Sequence, residues 1–276
     1  MVKNRAQLIT EYRRIPSIGD YYREKNPLWA DNREAMRKSM EKGDLDNMLR
    51  WSTIQATMFT IDAAYLDIEY KALLEDDTAR WMRAITESYI GNPYRYKSNE
   101  KVSGNLIHQA YHLMQFEKHT GQTIDKLDRI VEFGGGYGAM CVIARRLGFK
   151  GMYHIYDLPE FSLLQEYYLT QLGLSKDTYF HKIDDFGRFP APPLFTDWLI
   201  GCHSLSEVEF RLRETFVSAT STKHILIALS VFWNTRESFE NEFKHLQRVT
   251  KNYRWERHIC ESVTERSYLI GELSDN

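Results

Sequence analysis

Ile130-Val-Glu-Phe-Gly-Gly-Gly-Tyr-Gly-Ala-Met140 reads as a short apolar strand that enters a glycine-rich turn and then a helix. Gly134, Gly136 and Gly138 occupy every second position of that turn. Glycine lets the backbone adopt positive φ and lets a ligand lie directly against the main chain. The stretch therefore predicts the first strand and ligand-binding turn of an α/β sheet.

Two acidic residues stand where a nucleoside ligand needs them. Glu132 lies at the end of the first strand, and Asp157 follows a second strand-like run, Met152 to Tyr156. A carboxylate in the first position suits a cationic amine and would repel a pyrophosphate, whereas one at the tip of the second strand can bind both ribose hydroxyls. With the glycine turn, these acids predict a pocket for S-adenosyl-L-methionine.

Each of these features also has a simpler explanation. Loops collect glycine for many reasons. Glu132 is also a candidate helix-capping acid, and Asp157 is a candidate N-cap for the helix that begins near Pro159. The nucleoside pocket is favoured because the pieces occur in the right order, each on the expected element.

Composition argues against several other classes of protein. A net charge of −2 lacks the basic excess typical of nucleic-acid binding, and the sequence has no Asn/Asp-Pro-Pro-Tyr motif for a flipped base. Cys141, Cys202 and Cys260 form no C-x-x-C pair, which predicts a reducing, cytoplasmic location and neither a disulfide framework nor a thiolate zinc site. The N-terminus has no apolar signal core, and the longest apolar-rich run, Ile225 to Trp233, is too short to span a bilayer.

The first 123 residues are predicted to be helical. Apolar residues recur three and four apart from Asp46 to Leu74 and again from Asp77 to Tyr89, before Gly91-Asn-Pro93 breaks the pattern. A further helix is predicted from about Asn105 to His119, ended by Thr120-Gly121. We expect this region to form a cap or lid over the site.

From about Lys126 strands and helices alternate. The predicted strands are Arg129–Phe133, Met152–Tyr156, Tyr179–Lys182, Asp197–Cys202, His224–Leu229, Arg254–Glu261 and Ser267–Gly271, and the predicted helices are Gly138–Leu147, Phe161–Leu172, Ser206–Ala219 and Arg236–Thr250. This alternation predicts a mostly parallel sheet with helices on both faces. Only Ser262-Val-Thr-Glu-Arg266 separates the last two strands, so they form a hairpin and one of them runs antiparallel.

The predicted fold class is therefore α/β. Residues 124–276 should form a Rossmann-like, seven-stranded methyltransferase sheet with an antiparallel C-terminal hairpin, and residues 1–123 a helical cap before it. The hairpin distinguishes this sheet from the all-parallel sheet that binds dinucleotides.

The chain resembles class I S-adenosylmethionine-dependent methyltransferases over roughly residues 126–276. More narrowly, it is similar to the sugar O-methyltransferase family found in polysaccharide and antibiotic gene clusters. The likeness lies in Val131-Glu-Phe-Gly-Gly-Gly-Tyr-Gly138, Tyr156-Asp-Leu-Pro-Glu160, His203-Ser-Leu-Ser-Glu207 and Asn105-Leu-Ile-His-Gln-Ala-Tyr-His112. The resemblance implies in-line transfer of the sulfonium methyl to a sugar hydroxyl.

The cofactor site is expected to consist of Glu132, Gly134, Gly136, Tyr137, Gly138, Asp157, Leu158 and Asp185. Tyr137 would cover the methionine portion of the donor, and a surface tyrosine in a turn is the alternative. Leu158 would pack on the adenine. Asp185 would face the adenine amine, as an acid after the third strand often does in this class, and a solvated turn acid is the alternative.

His203 is the candidate general base. It follows the apolar strand Trp198-Leu-Ile-Gly-Cys202, and ligands bind at the carboxyl edge of open α/β sheets. Plant-type small-molecule O-methyltransferases, which the chain also resembles, use a histidine soon after the fourth strand as their base. Glu207, four residues on, could orient the imidazole, or it could close a capping box with Ser204.

His108, His112, Gln115 and His119 fall on one stripe of the predicted helix. A His-x-x-x-His pair could ligate a metal, but the sequence identifies no third ligand, and the adjacent acids Asp184 and Asp185 are weak candidates for magnesium. We therefore expect no metal. His108, Tyr111 and His112 are expected to contact the acceptor, and His119 belongs to a solvated polar face.

Together these observations predict a methyltransferase that acts on a carbohydrate or other small-molecule acceptor. Nucleic-acid partners and membrane spans are not expected, and the sequence is compatible with a homodimer. One rival is methylation of a phenolic or amine natural product at the same cofactor site. The other is a non-catalytic binding subunit that keeps the glycine turn and has no working base.

Overall fold

The computed structural model describes residues 5–193, 195–230, 236–263 and 266–274. The helices are α1 (Arg5–Arg13), α2 (Asp20–Lys25), α3 (Pro27–Lys42), α4 (Ser52–Thr57), α5 (Leu66–Ile85), α6 (Gly104–Thr120), α7 (Ala139–Arg146), α8 (Pro159–Gln171), α9 (Ser204–Glu207), α10 (Phe210–Ala219) and α11 (Arg236–Val249). The strands are β1 (Arg129–Phe133), β2 (Met152–Asp157), β3 (Thr178–Lys182), β4 (Thr196–Ile200), β5 (Thr222–Ser230), β6 (Tyr253–Ile259) and β7 (Arg266–Leu273). The polar start of the chain, Met1 to Asn4, lies outside the described residues, as do Trp233 and the hairpin residues Thr264 and Glu265.

The seven strands form one sheet in the order β3-β2-β1-β4-β5-β7-β6. Strands β1 to β5 pair in parallel, and β7 is antiparallel to both β5 and β6. The connection between β6 and β7 is too short for a crossover, which is why β7 runs against its neighbours. The predicted α/β sheet and its C-terminal hairpin are confirmed.

Residues of β1 alternate between the two faces of the sheet. Ile130 belongs to the larger apolar cluster, whereas Val131 and Phe133 belong to a second cluster on the opposite side. Helices α6, α7 and α8 contribute to the first cluster, and α10 and α11 contribute to the second. Because side chains along a strand alternate with a period of two, Glu132 emerges on the same side as Ile130, beneath the N-terminal region.

Helix α6 packs directly on the sheet. The ring of Phe116 stacks on Trp198 of β4 with ring centroids 3.8 Å apart. Ser103 caps the helix through a hydrogen bond from Leu106 N, and Gly121 ends it in the left-handed conformation (φ 68°), as predicted. One apolar core therefore runs across the predicted boundary near residue 123.

Two segments that were predicted as continuous helices are interrupted in the structure. The pattern from Asp46 to Leu74 contains a 3-10 turn at Leu45–Arg50, then α4, a non-helical stretch, and α5, which continues past a kink at Asp77 (φ −154°, ψ 96°). In the non-helical stretch, Met58 packs against Gly136 and the Phe59 ring stacks on Tyr137, so both apolar side chains contact the glycine turn. The predicted helix Ser206–Ala219 is likewise divided into α9 and α10.

Candidate functional site

A large cavity of about 1200 Å³ lies at the carboxyl ends of β1, β2 and β4. The N-terminal helices roof it, with side chains from α2, α3, α4 and the first turns of α6 in its lining. Strand order reverses at β1, between β2 and β4. Ligands of open α/β sheets bind at such a reversal, and the volume suits a nucleoside together with a second small molecule.

Glu132 lies at the floor of the cavity with 5% of its surface exposed. Its Oε2 accepts a hydrogen bond from the Tyr153 hydroxyl at 2.9 Å. Burial raises the pKa of Glu132 to about 7, against the lowering effect of that hydrogen bond. The carboxyl caps no helix, so the capping alternative is wrong, and a cationic ligand group would restore its charge.

The glycine turn has the predicted backbone. Gly134, Gly136 and Gly138 all have positive φ, at 71°, 59° and 97°. A Cβ on Gly134 would lie 2.3 Å from the Cβ of Ser204, a distance that no packed pair of carbons tolerates. The turn at Gly134 therefore requires glycine both for its conformation and for the close approach of Ser204.

Asp157 ends β2 and is buried beside the turn. Its Oδ1 accepts from Leu158 N at 2.8 Å, and its Oδ2 accepts from Gln165 Nε2 at 2.7 Å. Burial raises the pKa of Asp157 to about 7, and these hydrogen bonds oppose the rise. Helix α8 has Leu158 as its N-cap, so the N-cap alternative for Asp157 is wrong. Gln165, which also donates to Gly136 O at 2.9 Å, is a positioning residue that the sequence did not indicate.

Tyr137 is buried, so the surface-tyrosine alternative is wrong. Its hydroxyl accepts from Asn105 Nδ2 at 2.9 Å, and its ring stacks against Phe59 with centroids 5.9 Å apart. Tyr137 lines the cavity while it fastens the glycine turn to α6 and to the segment after α4.

Asp184 and Asp185 have different roles in the loop after β3. Asp184 closes its own turn, where its Oδ1 accepts from Phe186 N and Arg188 N at 2.9 Å. Asp185 lines the cavity, but its Oδ1 accepts from Arg33 Nη1 at 2.7 Å and its Oδ2 from Gly19 N at 2.9 Å. Both Asp185 oxygens thus bind the N-terminal region, which places the predicted adenine-binding acid at the edge of the roof.

A buried ionic cluster, Arg33–Glu160–Arg37, fastens the roof to the sheet. Glu160 is fully buried and accepts from Arg33 Nε at 2.8 Å and from Arg37 Nε at 2.8 Å. The Tyr12 hydroxyl donates to the Glu160 carbonyl oxygen at 2.6 Å. Glu160 belongs to the Tyr156-Asp-Leu-Pro-Glu160 motif, but the cluster itself was not predictable from sequence because its arginines lie on a helix with many other charges.

His203 lies directly after β4, in the cavity wall, as predicted. Its backbone has φ 62° and ψ −42°, a conformation that a non-glycine residue rarely adopts and that recurs at functional sites. Its N–H donates to Ala228 O at 2.9 Å. Burial, with the nearby Arg266 and His108, lowers the pKa of His203 to about 3, so the imidazole is neutral at physiological pH.

Among the described residues, no hydrogen bond joins Glu207 to His203. The Ser204 hydroxyl donates to Phe133 O, so the alternative capping box is absent as well. Glu207 is partly buried in the cavity wall. Burial raises the pKa of Glu207 to about 7, opposed by a hydrogen bond from Trp29. The predicted orienting acid is instead a separate proton-accepting group in the same cavity.

Helix α6 brings two of its three predicted acceptor-site residues to His203. The His108 ring lies 6.2 Å from the His203 ring, and the His112 ring lies 5.7 Å from it, centroid to centroid. Tyr111 and His112 are both buried outside the cavity lining, so of the three predicted acceptor contacts only His108 lines the cavity. His119 was expected on a solvated face, yet its ring stacks on His258 at 3.6 Å, because β6 reaches this side of the helix.

Three further residues surround these histidines, and the sequence analysis did not identify them. Glu69 of α5 lies 2.9 Å from His108 Nδ1, and Arg266 Nη1 lies 2.9 Å from His108 Nε2. The Tyr268 hydroxyl lies 2.8 Å from His112 Nδ1. Of these three residues, only Glu69 had a sequence signal that could have identified it, because it is an acid within the apolar pattern of a helix.

No protein-family model matches the chain, and no curated protein matches its sequence. Among solved structures, a SAM-dependent methyltransferase from Aquifex aeolicus is 14% identical over 59% of this chain and 91% of its own, with a TM-score of 0.43. An O-methyltransferase family protein from Burkholderia thailandensis is 12% identical over 61% of this chain and 59% of its own, with a TM-score of 0.41. Human N-acetylserotonin methyltransferase in complex with SAM is 12% identical over 62% of this chain and 56% of its own, with a TM-score of 0.38. At these identities and TM-scores the chemistry of the site has to be argued from its own residues.

Within the described residues, every helix is too short or too polar to cross a lipid bilayer.

Proposed function

We propose that this chain is an S-adenosyl-L-methionine-dependent O-methyltransferase that acts on a sugar hydroxyl. The observation that carries the proposal is a pair of buried carboxyl groups, Glu132 and Asp157, on adjacent parallel strands. They flank a glycine turn with positive φ, and their cavity continues to His203. One molecule of the donor carries an amine at one end, a ribose toward the other end, and the reactive sulfonium methyl group between them.

The donor would lie across the glycine turn. Its amino group would restore the charge of Glu132, and its ribose hydroxyls would donate to Asp157, whose carboxyl group also accepts from Leu158 N, Gln165 Nε2 and Gly136 N. Leu158 offers an apolar wall for the adenine. Tyr21 and Phe186, whose rings stack with centroids 5.6 Å apart in the same lining, close the outer end of this wall.

The methyl group would then point toward the histidines. The acceptor oxygen attacks the methyl carbon as the carbon–sulfur bond breaks, and sulfur retains the bonding electron pair, which leaves a neutral thioether. The hydroxyl proton has to leave the oxygen, and His203 is the candidate base because its buried Nε2 has no hydrogen-bond partner among the described residues. Glu207 is a second acceptor for that proton in the same wall.

A sugar acceptor is supported by the lining of the inner cavity. Trp29 offers an aromatic face, while Asn26, Gln109, Glu207 and Arg266 offer hydrogen-bonding groups in the same lining. Such a mixture suits a ring with several hydroxyls. A phenol or an amine needs fewer polar partners, so these acceptors rank below a sugar.

Calorimetric titration with S-adenosyl-L-methionine and S-adenosyl-L-homocysteine tests the cofactor site. We expect micromolar binding of both, and Asp157→Asn should weaken it by about 10–100-fold because a charge-assisted hydrogen bond contributes about 1.5–3 kcal/mol. Asp197→Asn is the matched control, since Asp197 is also buried but lies at the opposite edge, where it accepts from Asp128 N and Arg129 N. It should lower stability and leave cofactor affinity unchanged.

Methyl transfer to nucleotide sugars and glycosides tests the reaction. His203→Ala should abolish turnover and retain binding of the product S-adenosyl-L-homocysteine. Failure of the wild-type protein to bind either cofactor form would reject the proposal in favour of a non-catalytic subunit. Turnover by His203→Ala at the wild-type rate would leave the enzyme assignment intact and remove His203 as the base.

A further inference from the structure

Three imidazoles converge beside the cavity, and two of them, His108 and His203, line it. His108 and His112 lie one turn apart on α6, and His203 reaches them from the end of β4. One ligating nitrogen from each lies within 4.8 Å of the other two. We propose that His108, His112 and His203 bind a divalent transition-metal ion.

The spacing suits such an ion after a small closure. Zinc binds imidazole nitrogen at about 2.1 Å, so two nitrogens of a tetrahedral site lie about 3.4 Å apart. The three rings must therefore move together by about 1 Å, which side-chain rotation supplies. Imidazole favours zinc, iron, cobalt, nickel or copper over magnesium and calcium, which prefer oxygen ligands.

Unpartnered nitrogen atoms in this cluster point to a ligand. His112 is 1% exposed, and its Nε2 has no hydrogen-bond partner among the described residues, although Tyr268 holds its Nδ1. Nε2 of His203 is buried without a partner as well. A buried polar atom without a partner costs about 1–3 kcal/mol, and coordination of a cation would remove that cost at both rings.

Surrounding groups hold the rings as metal-binding histidines are usually held. Glu69 is fully buried, and its Oε2 lies 2.9 Å from His108 Nδ1. Ser262 donates to the other Glu69 oxygen at 2.8 Å and fixes the carboxylate. If Nδ1 of His108 carries the proton and donates a hydrogen bond to Glu69, Nε2 of His108 is free to bind the metal. This is the carboxylate–histidine–metal arrangement that is common around metal-binding histidines.

Arg266 is the one group here that opposes a cation. Its Nη1 lies 2.9 Å from His108 Nε2, where it donates a hydrogen bond along the direction that a metal would use. The negative charge of Glu69 balances its positive charge. In the same position Arg266 lies over the Tyr65 ring at 4.7 Å and is 3.4 Å from the Tyr65 hydroxyl, so a metal at Nε2 requires the guanidinium to turn away from His108 while it keeps its contact with Tyr65.

Three protein ligands leave a further coordination position, and His108 and His203 both face the cavity. This part of the inference rests on the proposed function. The acceptor hydroxyl would coordinate the ion, lose its proton to Glu207, and attack the donor methyl as the bound alkoxide. A cation lowers the pKa of a coordinated hydroxyl strongly, and His203 would then act as a ligand in place of a base.

The test is titration of the chelator-treated full chain with Co²⁺ and Zn²⁺, followed by calorimetry and by the visible absorption of Co²⁺. We expect saturation at one ion per chain. His112→Gln and His203→Asn should each weaken binding by at least about 100-fold, and Glu69→Gln, which keeps all three ligands, by about 10–100-fold. His119→Gln is the matched control, because His119 lies on the same helix but stacks on His258 outside the cluster.

No saturable binding by the wild-type chain would overturn the proposal, and so would equal binding by the ligand variants and the His119 control. S-adenosyl-L-homocysteine is titrated into the same samples. Metal binding without cofactor binding would reject the proposed function and leave the metal site standing. Cofactor binding without metal binding would do the reverse, and retained cofactor affinity in His112→Gln would show that the variant is folded.

Discussion

Glu160→Gln tests whether the buried ionic cluster holds the roof of the cavity. The change keeps the size and shape of the side chain and removes its charge. Glu160 is fully buried and Arg33 is 1% exposed, so the variant leaves a guanidinium in the interior without one of its two carboxylates. Arg37 loses its carboxylate as well, but it remains partly exposed and bonded to Pro16 O.

The magnitude follows from that burial. Removing one partner of a buried ion pair costs about 3–5 kcal/mol, and the lower end applies because Asp185 still accepts from Arg33 Nη1 at 2.7 Å. For a chain of this size each kcal/mol lowers the melting temperature by about 2–4 °C, so we expect a fall of about 6–12 °C by thermal unfolding. Cofactor affinity should fall too, because α3 contributes Trp29 to the cavity wall.

Glu34→Gln is the control on α3, the helix that carries Arg33 and Arg37. Glu34 pairs with Arg23 at 3.1 Å, but the two side chains are 38% and 44% exposed, and pairs of that kind contribute about 0–1 kcal/mol. A melting temperature for Glu160→Gln within the range of the Glu34→Gln variant would refute the reasoning. It would mean that the roof is held by its apolar contacts alone.

The remaining predictions concern the cofactor end of the cavity. Gly134→Ala should abolish cofactor binding and lower the melting temperature, because the new Cβ would meet the Cβ of Ser204 at 2.3 Å and the residue must keep φ 71°. Wild-type affinity for S-adenosyl-L-homocysteine in this variant would contradict the prediction. Burial raises the pKa values of Glu132 and Asp157 to about 7, so both groups are largely protonated in the ligand-free protein below pH 7. A cationic amine and a ribose favour the charged forms, so calorimetry should show affinity rising with pH by about tenfold per unit for each group up to pH 7 and levelling above it. The hydrogen bond from Tyr153 lowers the pKa of Glu132, so Tyr153→Phe should move this levelling point to higher pH, and an unchanged profile would remove Glu132 from the amine site.

The cofactor half of the site was largely predictable because its signals are local. The glycine turn, Glu132 and Asp157 each follow a strand whose apolar run identifies it, and the carboxyl ends of parallel strands meet at one edge. Asp185 was also predicted as a site residue, but its contacts could not be predicted. Its partners Arg33 and Gly19 belong to the N-terminal region, and no local sequence pattern indicates where that region lies over the sheet.

The N-terminal region was predicted as a helical cap over the site, but the packing of its last helix, α6, on the sheet was not predicted. The apolar periodicity of α6 does not distinguish a cap helix from one that packs on the sheet, and only the contact between Phe116 and Trp198 does so. The break after α4 was missed for a similar reason. Apolar residues near Met58 cover the glycine turn, so their spacing resembles a helix while their packing does not.

The sequence by itself determined the strand pattern, the antiparallel hairpin, the glycine turn and the two carboxylates, since each depends on residues close together in the chain. Tertiary structure alone decided which polar groups from distant parts of the chain come into contact. Arg33 and Glu160 are 127 residues apart, and Arg266 and His108 are 158 apart. His203 joins the α6 histidines because β4 ends beside that helix. A buried polar group has to form its hydrogen bonds with the residues that pack around it, and those residues are known only from the tertiary structure.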